Sequence, residues 1–204
     1  MQYQVTDEEA QRAKNPHHIY NLNILLTHLF LSLTVLKTTG NPAMFILIPA
    51  ISMAVLGFIY YKAQQKIKHD TWFVAAHWML AWRRGRILIA SYIVGLTLVA
   101  IYSLVQWMLP GGLSMNNFSD DGGSTPIFQI ITMFFGGAIV FFTVLITFLQ
   151  TGISVYDCSK GIIDKKMINY VPRGQNANTE LGEFDDHPAA QKPSTEQNKE
   201  DRPT

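Results

Sequence analysis

The sequence predicts an all-α, polytopic membrane protein with four transmembrane helices and an interfacial helix between the second and third. Two observations carry that expectation. Four apolar segments are long enough to cross a bilayer, and the positive charges between them fall almost entirely on one side. A hydrocarbon core about 30 Å thick needs roughly 20 apolar residues in helical form. Residues 19–36, 42–61, 87–109 and 127–150 meet that need, and the last three segments hold no Asp, Glu, Lys, Arg or His. A buried helix of a soluble protein can also be apolar on all sides. Four such segments within 204 residues favour a bilayer as the surround.

Lys and Arg set the orientation. Arg12 and Lys14 lie in the N-terminal arm (1–18), and only Lys37 lies in the first loop. The second loop carries Lys62, Lys66, Lys68, Arg83, Arg84 and Arg86, and the third carries none. The C-terminal region (158–204) holds the other seven, so the split is fifteen to one. The positive-inside rule then predicts both termini in the cytoplasm, in a multi-pass protein of the inner (plasma) membrane. The polar, acidic start lacks the basic n-region of a cleavable signal peptide, so the first apolar segment is expected to be retained. From Val171 onward the chain is rich in Asn, Gln, Glu, Asp and Pro, a composition expected to leave the tail largely disordered. Pro49, inside the second apolar segment, is expected to kink it.

Polar residues within the spans (domain 19–157) mark packing faces or pathways. At 100° per residue, His17, Asn21, His28 and Ser32 share one stripe of the first helix, and Asn23, Thr27 and Thr34 share another. On the fourth helix Thr132, Gly136, Thr143 and Thr147 lie on one face, a small-residue seam for helix packing. His28 is nine residues beyond Ile19, about 13 Å into the core. An ionisable side chain at that depth is a candidate for haem or quinone binding. A bis-histidine haem would need a second ligand at the same depth, and no other span supplies a histidine there.

Residues 62–86 read as the interfacial segment. Lys62, Lys66 and Lys68 suit anionic headgroups. Trp72, Trp78 and Trp82 with Arg83, Arg84 and Arg86 are the composition of a membrane–water interface. The tryptophans do not share a helical face, so part of the segment should pack on the bundle or on a partner. His77 and Arg84 do share a side, which predicts contact with an acidic headgroup, a quinone head or a partner carboxylate. In an alternative arrangement the segment joins the third span as one long helix bent at Gly85.

Catalytic and metal motifs are missing from the pattern. Cys158 is the lone cysteine, so neither a disulfide framework nor a cysteine-based metal site is expected within one chain. His17 and His18 are adjacent and diverge by 100°, while His69 and His77 are eight residues apart, about 12 Å in a helix. No metal is expected from such spacing, and an enzymatic role is not favoured. Near-balanced charge gives no reason to expect nucleic acid. The expected function is a non-catalytic subunit or scaffold of a larger inner-membrane assembly of secretion, conjugation, envelope or respiratory type. Its partners would be the lipid bilayer and other membrane subunits or a second copy. The alternatives are a redox subunit binding haem or quinone through His28, and a small-solute channel or carrier using the seam of the fourth helix.

Overall fold

The structure, a computed structural model, describes residues 1–38, 42–109, 114–115, 125–174 and 177–182. Four rods long and apolar enough to cross a membrane dominate it, spanning Asp7–Thr38, Met44–His69, Trp72–Met108 and Phe128–Ser159. The all-α, four-span expectation therefore holds. The first rod begins well before the apolar segment does. Helix α1 (Asp7–Asn23) opens on a capping box, in which Thr6 Oγ1 accepts from the Glu9 N–H (3.2 Å) and Glu9 Oε2 from the Thr6 N–H (2.9 Å). Asp7, Glu8 and Glu9 in its first turn suit the positive end of the helix dipole. A π-helical stretch, Ile24–Leu31, follows and leads into α2 (Ser32–Thr38).

A 3-10 turn at Pro42–Ile46 leads into α3 (Leu47–His69). Pro49 is the third residue of α3, and the rod passes from 3-10 to α-helix at Ile46–Leu47, just before it. Helix α4 (Trp72–Met108) is 37 residues long, about 55 Å at 1.5 Å per residue and longer than a bilayer core. It passes through Gly85 as continuous helix, so no separate interfacial helix exists between the second and third spans. Residues 72–86 are its first four turns, and most of their apolar side chains are buried. The reason is packing: Gly85 lies against α3 so closely that a β-carbon there would come within 2.7 Å of Leu56 Cδ2. Helix α5 (Ile127–Ser159) completes the bundle.

The dense core gathers at the end that carries the N-terminus and the described C-terminal segment up to residue 182. Tyr3, Tyr20, Leu56, Phe73, Leu88 and Met167 are each 2 % exposed or less. Farther along, Phe134, Phe135, Phe141 and Phe142 of α5 point outward and are more than half exposed, as expected of a surface facing hydrocarbon. Strand β1 (Gln2–Tyr3) pairs antiparallel with β4 (Glu180–Gly182), while β2 (Ser114–Met115) and β3 (Thr125–Pro126) pair at the other end of the bundle.

Of the C-terminal region, whose composition reads as largely disordered, the described residues up to 182 pack on the bundle. A 3-10 turn, Lys165–Asn169, runs into a segment whose backbone and side chains close the α1 and α4 ends. Trp72 Nε1 donates to the Val171 carbonyl (2.8 Å), and the Phe73 N–H, otherwise unpaired in the first turn of α4, donates to Asn178 Oδ1 (3.1 Å). Asn178 Nδ2 in turn donates to Glu9 Oε1 (3.0 Å). Arg173 pairs with Glu180 (2.9 Å) and lies over the rings of Tyr3 and Trp72. Residues 183–204, the main part of the expected disordered tail, lie outside the described residues, as does most of the third loop.

Asp70, between α3 and α4, ties three elements. It accepts from Lys66 Nζ (2.8 Å), Arg12 Nη2 (3.3 Å) and the Thr71 N–H (2.9 Å). Burial raises its pKa, but the Lys66 and Thr71 hydrogen bonds and the Lys66 and Arg12 charges outweigh burial and hold it below the ordinary 3.8. A carboxylate depressed in the folded state contributes stability in full above its unfolded pKa and loses it as the pH falls through the folded value. Asp70→Asn is therefore expected to lower stability in detergent by about 1 kcal/mol at pH 7. The gap to wild type should close as the pH is taken below 3.8, read as thermal midpoints across a pH series.

Candidate functional site

Three side chains from three helices converge at the terminus-bearing end of the bundle. His17 comes from α1, His77 from the second turn of α4, and Cys158 from the last turn of α5. His17 Nε2 is 3.1 Å from His77 Nδ1, and Cys158 Sγ is 3.4 Å from the same nitrogen. The three potential ligand atoms all lie within 4.8 Å of one another, and all three residues are fully buried.

Local sequence explains each placement. Pro16, inside α1, supplies no N–H to the helix and packs into the core beside His17. His77 sits one turn after Phe73, whose ring meets it edge-on at 4.6 Å between centroids. Cys158 is fixed by the way α5 ends. Gly161 has φ +70°, the Ile162 N–H bonds the Asp157 carbonyl (2.9 Å), and the Gly161 N–H approaches the Cys158 carbonyl (3.4 Å). That is the Schellman pattern, with Gly161 as the left-handed residue. A β-carbon on Gly161 would also strike the Tyr3 carbonyl, so the N-terminal strand packs tightly against the α5 end.

The arrangement leaves buried polar atoms short of partners. His77 Nδ1 faces both His17 and Cys158, so a single lone pair or proton is shared by two neighbours. His17 Nδ1 and His77 Nε2 have no hydrogen bond of ordinary geometry. The Ile162 backbone is close enough to His77 to interact with its ring, but without an aligned bond. Unsatisfied buried nitrogens cost roughly 1–3 kcal/mol each. A cation taking a lone pair from each of the three groups relieves the crowding at their centre. Metal–nitrogen and metal–sulfur distances of about 2.0 and 2.3 Å set ligand atoms roughly 3–4 Å apart, the range of the 3.1 and 3.4 Å contacts here. The expectation of no metal site rested on spacing within single helices, and these three residues meet only across helices, as a group that could hold an ion.

A second polar assembly lies deeper in the bundle. Tyr92 OH is 2.6 Å from His28 Nε2 and 2.9 Å from Ser52 Oγ, and Asn23 Nδ2 donates to the same Ser52 Oγ (2.9 Å). His28 is therefore engaged by a tyrosine of α4 and takes no part in the three-residue cluster. The two stripes drawn on the first helix also change partners. Asn23 and His28, assigned to different stripes, join one network. The π-helical stretch between Ile24 and Leu31 has more residues per turn than an α-helix, so faces drawn at 100° per residue slip across it.

The other residues singled out by sequence separate. His77, expected at a headgroup or partner surface, is enclosed in the cluster. Trp72 and Trp78 are buried, the former bonded to Val171, whereas Trp82 packs on Tyr60 with ring centroids 4.8 Å apart. Arg83 lies 4.0 Å from the Tyr170 ring centroid. With Arg84 and the exposed Arg86 it lines an open crevice of about 740 Å³ that Leu80, Ile87, Gln150 and Asp164 also line. Arg84 faces two ways, since its charge also reaches His17, His77 and Cys158. On α5, Thr132 and Thr147 are buried and Thr143 donates to the Ile139 carbonyl (2.8 Å). Gly136 lies opposite Gly95 and Leu98 of α4.

Fold and site together define a helical, multi-pass membrane protein with a buried His/His/Cys cluster suited to a cofactor or a partner group. No family model, curated protein or solved structure matches the chain.

Replacing Tyr92 by Phe removes the partner of His28 Nε2 and leaves Ser52 Oγ with Asn23 alone within the apolar bundle. The expected loss is about 1–3 kcal/mol, measured as unfolding in detergent. A double-mutant cycle with His28→Ala should give a coupling of at least roughly 0.5 kcal/mol; strictly additive effects would contradict the 2.6 Å contact.

Proposed function

We propose that this chain is a cofactor-binding integral membrane subunit, and that its cofactor is a transition-metal ion held by His17, His77 and Cys158. The observation that carries the reading is the convergence of two imidazole nitrogens and a thiol sulfur within 4.8 Å in a fully buried setting. Imidazole and thiolate are the protein ligands of zinc, copper and iron, whereas calcium and magnesium take oxygen. Haem suits the cluster poorly, because nitrogens 3.1 Å apart leave no room for a porphyrin plane between them. The reading belongs to the redox or metal-handling class, with the site at one membrane face. A second reading, a non-catalytic subunit of a larger inner-membrane assembly, draws support from the crevice lined by Arg83, Arg84 and Arg86. An acidic partner segment or headgroup would find charge there.

Elemental analysis of the purified protein tests the main reading. About one transition-metal ion per chain is expected, lost in Cys158→Ala and in His77→Ala and retained in His28→Ala. A wild-type chain that takes up no first-row metal would overturn it.

The fifteen-to-one charge split supports an orientation with both termini cytoplasmic in an inner membrane. Alkaline phosphatase inserted at Gly122 should then be active, and a fluorescent protein fused after Thr204 should fluoresce. The opposite pair of results would invert the topology.

A further inference from the structure

We infer that the ion selected by this site is monovalent and soft, copper(I), in preference to zinc(II). The inference rests on the proposed metal-binding reading and sharpens it through three features of the surroundings.

The first is the donor count. Among the described residues the cluster offers three ligand atoms and no carboxylate, further histidine or second cysteine joins it. Zinc is almost always four-coordinate, and a three-ligand zinc site completes its shell with water or substrate. Here each ligand residue has no exposed surface, and the Phe73 ring closes against His77. A water in the fourth position would need room and further polar partners. Copper(I) is content with two or three ligands, and thiolate is among the soft donors that select it.

Charge is the second feature. Lys14, Arg84 and Asp157 all lie within electrostatic reach of Cys158, and Asp157 also faces Arg84. His18 reaches His17 from the same helix. Two cations and one anion leave a net charge of +1 around the thiol. The Cys158 thiolate neutralises it. A monovalent ion restores +1, and a divalent ion would raise it to +2 in a site cut off from water. Each uncompensated buried charge is costly, so the surroundings discriminate by valence.

The imidazoles supply the third feature. Both are held by packing, and the nitrogens that do not make the His17–His77 contact, His17 Nδ1 and His77 Nε2, have no aligned hydrogen bond. Neutral rings can therefore coordinate without releasing a proton. Binding then follows a simple balance. The Cys158 S–H bond breaks, its proton leaves to water, and a sulfur–copper bond forms. No electron moves.

The test uses the full chain in detergent, reduced and free of metal. Copper(I) is presented as its bicinchoninate complex, with and without excess zinc(II). One equivalent of copper(I) should be withdrawn from the competitor, with an ultraviolet thiolate-to-copper band, and zinc should not displace it. Cys158→Ala and His17→Gln should each weaken copper(I) binding by roughly tenfold or more, while His28→Ala, outside the cluster, should bind as wild type. Circular dichroism of the variants separates loss of ligand from loss of fold. A variant that unfolds is replaced by Cys158→Ser, which keeps the volume and removes the soft donor. If zinc binds one-to-one and displaces copper, the inference falls while the metal-binding reading stands. If neither ion binds, both fall.

Discussion

Hydrocarbon offers no hydrogen bonds. Each polar group placed between these helices has to be met by another part of the same chain, and this constraint organises the bundle from end to end. Thr27, Thr34, Thr143, Thr147 and Thr151 each turn back to a carbonyl four residues earlier in their own helix. Asn23, Ser52, Tyr92 and His28 meet one another across three helices. The accounting falls short at several buried atoms, among them Tyr20 Oη, Asn23 Oδ1, Trp78 Nε1 and Ser154 Oγ as well as His17 Nδ1 and His77 Nε2. Only around His17, His77 and Cys158, at one end of the bundle, do three ligand atoms from three helices also converge among the described residues, and that is where a cation would contribute most.

The same end of the molecule is also the most heavily braced. Asp70 joins α1 to the turn between α3 and α4. Asn178 caps α4 and reaches Glu9. Gly161 ends α5 and brings the Ile162–Ile163 backbone against β1, where the Ile163 N–H bonds the Met1 carbonyl at 3.0 Å. These contacts hold the first turns of α1 and α4 and the last turn of α5 in register. The cluster depends on that register, because its three residues share no helix and a shift of one residue on any of them rotates a ligand away by about 100°. Stability and site are built from one set of contacts.

The segment 72–86 shows how composition can mislead about location. Tryptophan and arginine together are what a membrane–water interface contains, and the segment reads as interfacial, with part of it packed on the bundle or on a partner. Its tryptophans nevertheless occupy different sides of one long helix. Trp72 and Trp78 go inward, Trp82 lies against Tyr60, and the arginines line the crevice beside α5. The lack of a shared face already signalled packing on several sides. The neighbours that would do the packing were beyond reach, because two of them, Val171 and Asn178, lie about a hundred residues away in a segment whose composition reads as disordered.

Length and apolarity are properties of each segment alone, and they determined the class: an all-α fold with four helices long and apolar enough to span a membrane. Tertiary structure decided what spacing cannot encode. The capping box carried α1 back to Asp7 through polar turns with no hydropathy signal. A π-helical stretch shifted the faces of the first rod. Above all, His17, His77 and Cys158 came together across 141 residues of sequence. Each looked inert because a ligand set within one helix needs neighbours three or four positions apart. Metal geometry asks only for proximity in space, and helix packing supplies that.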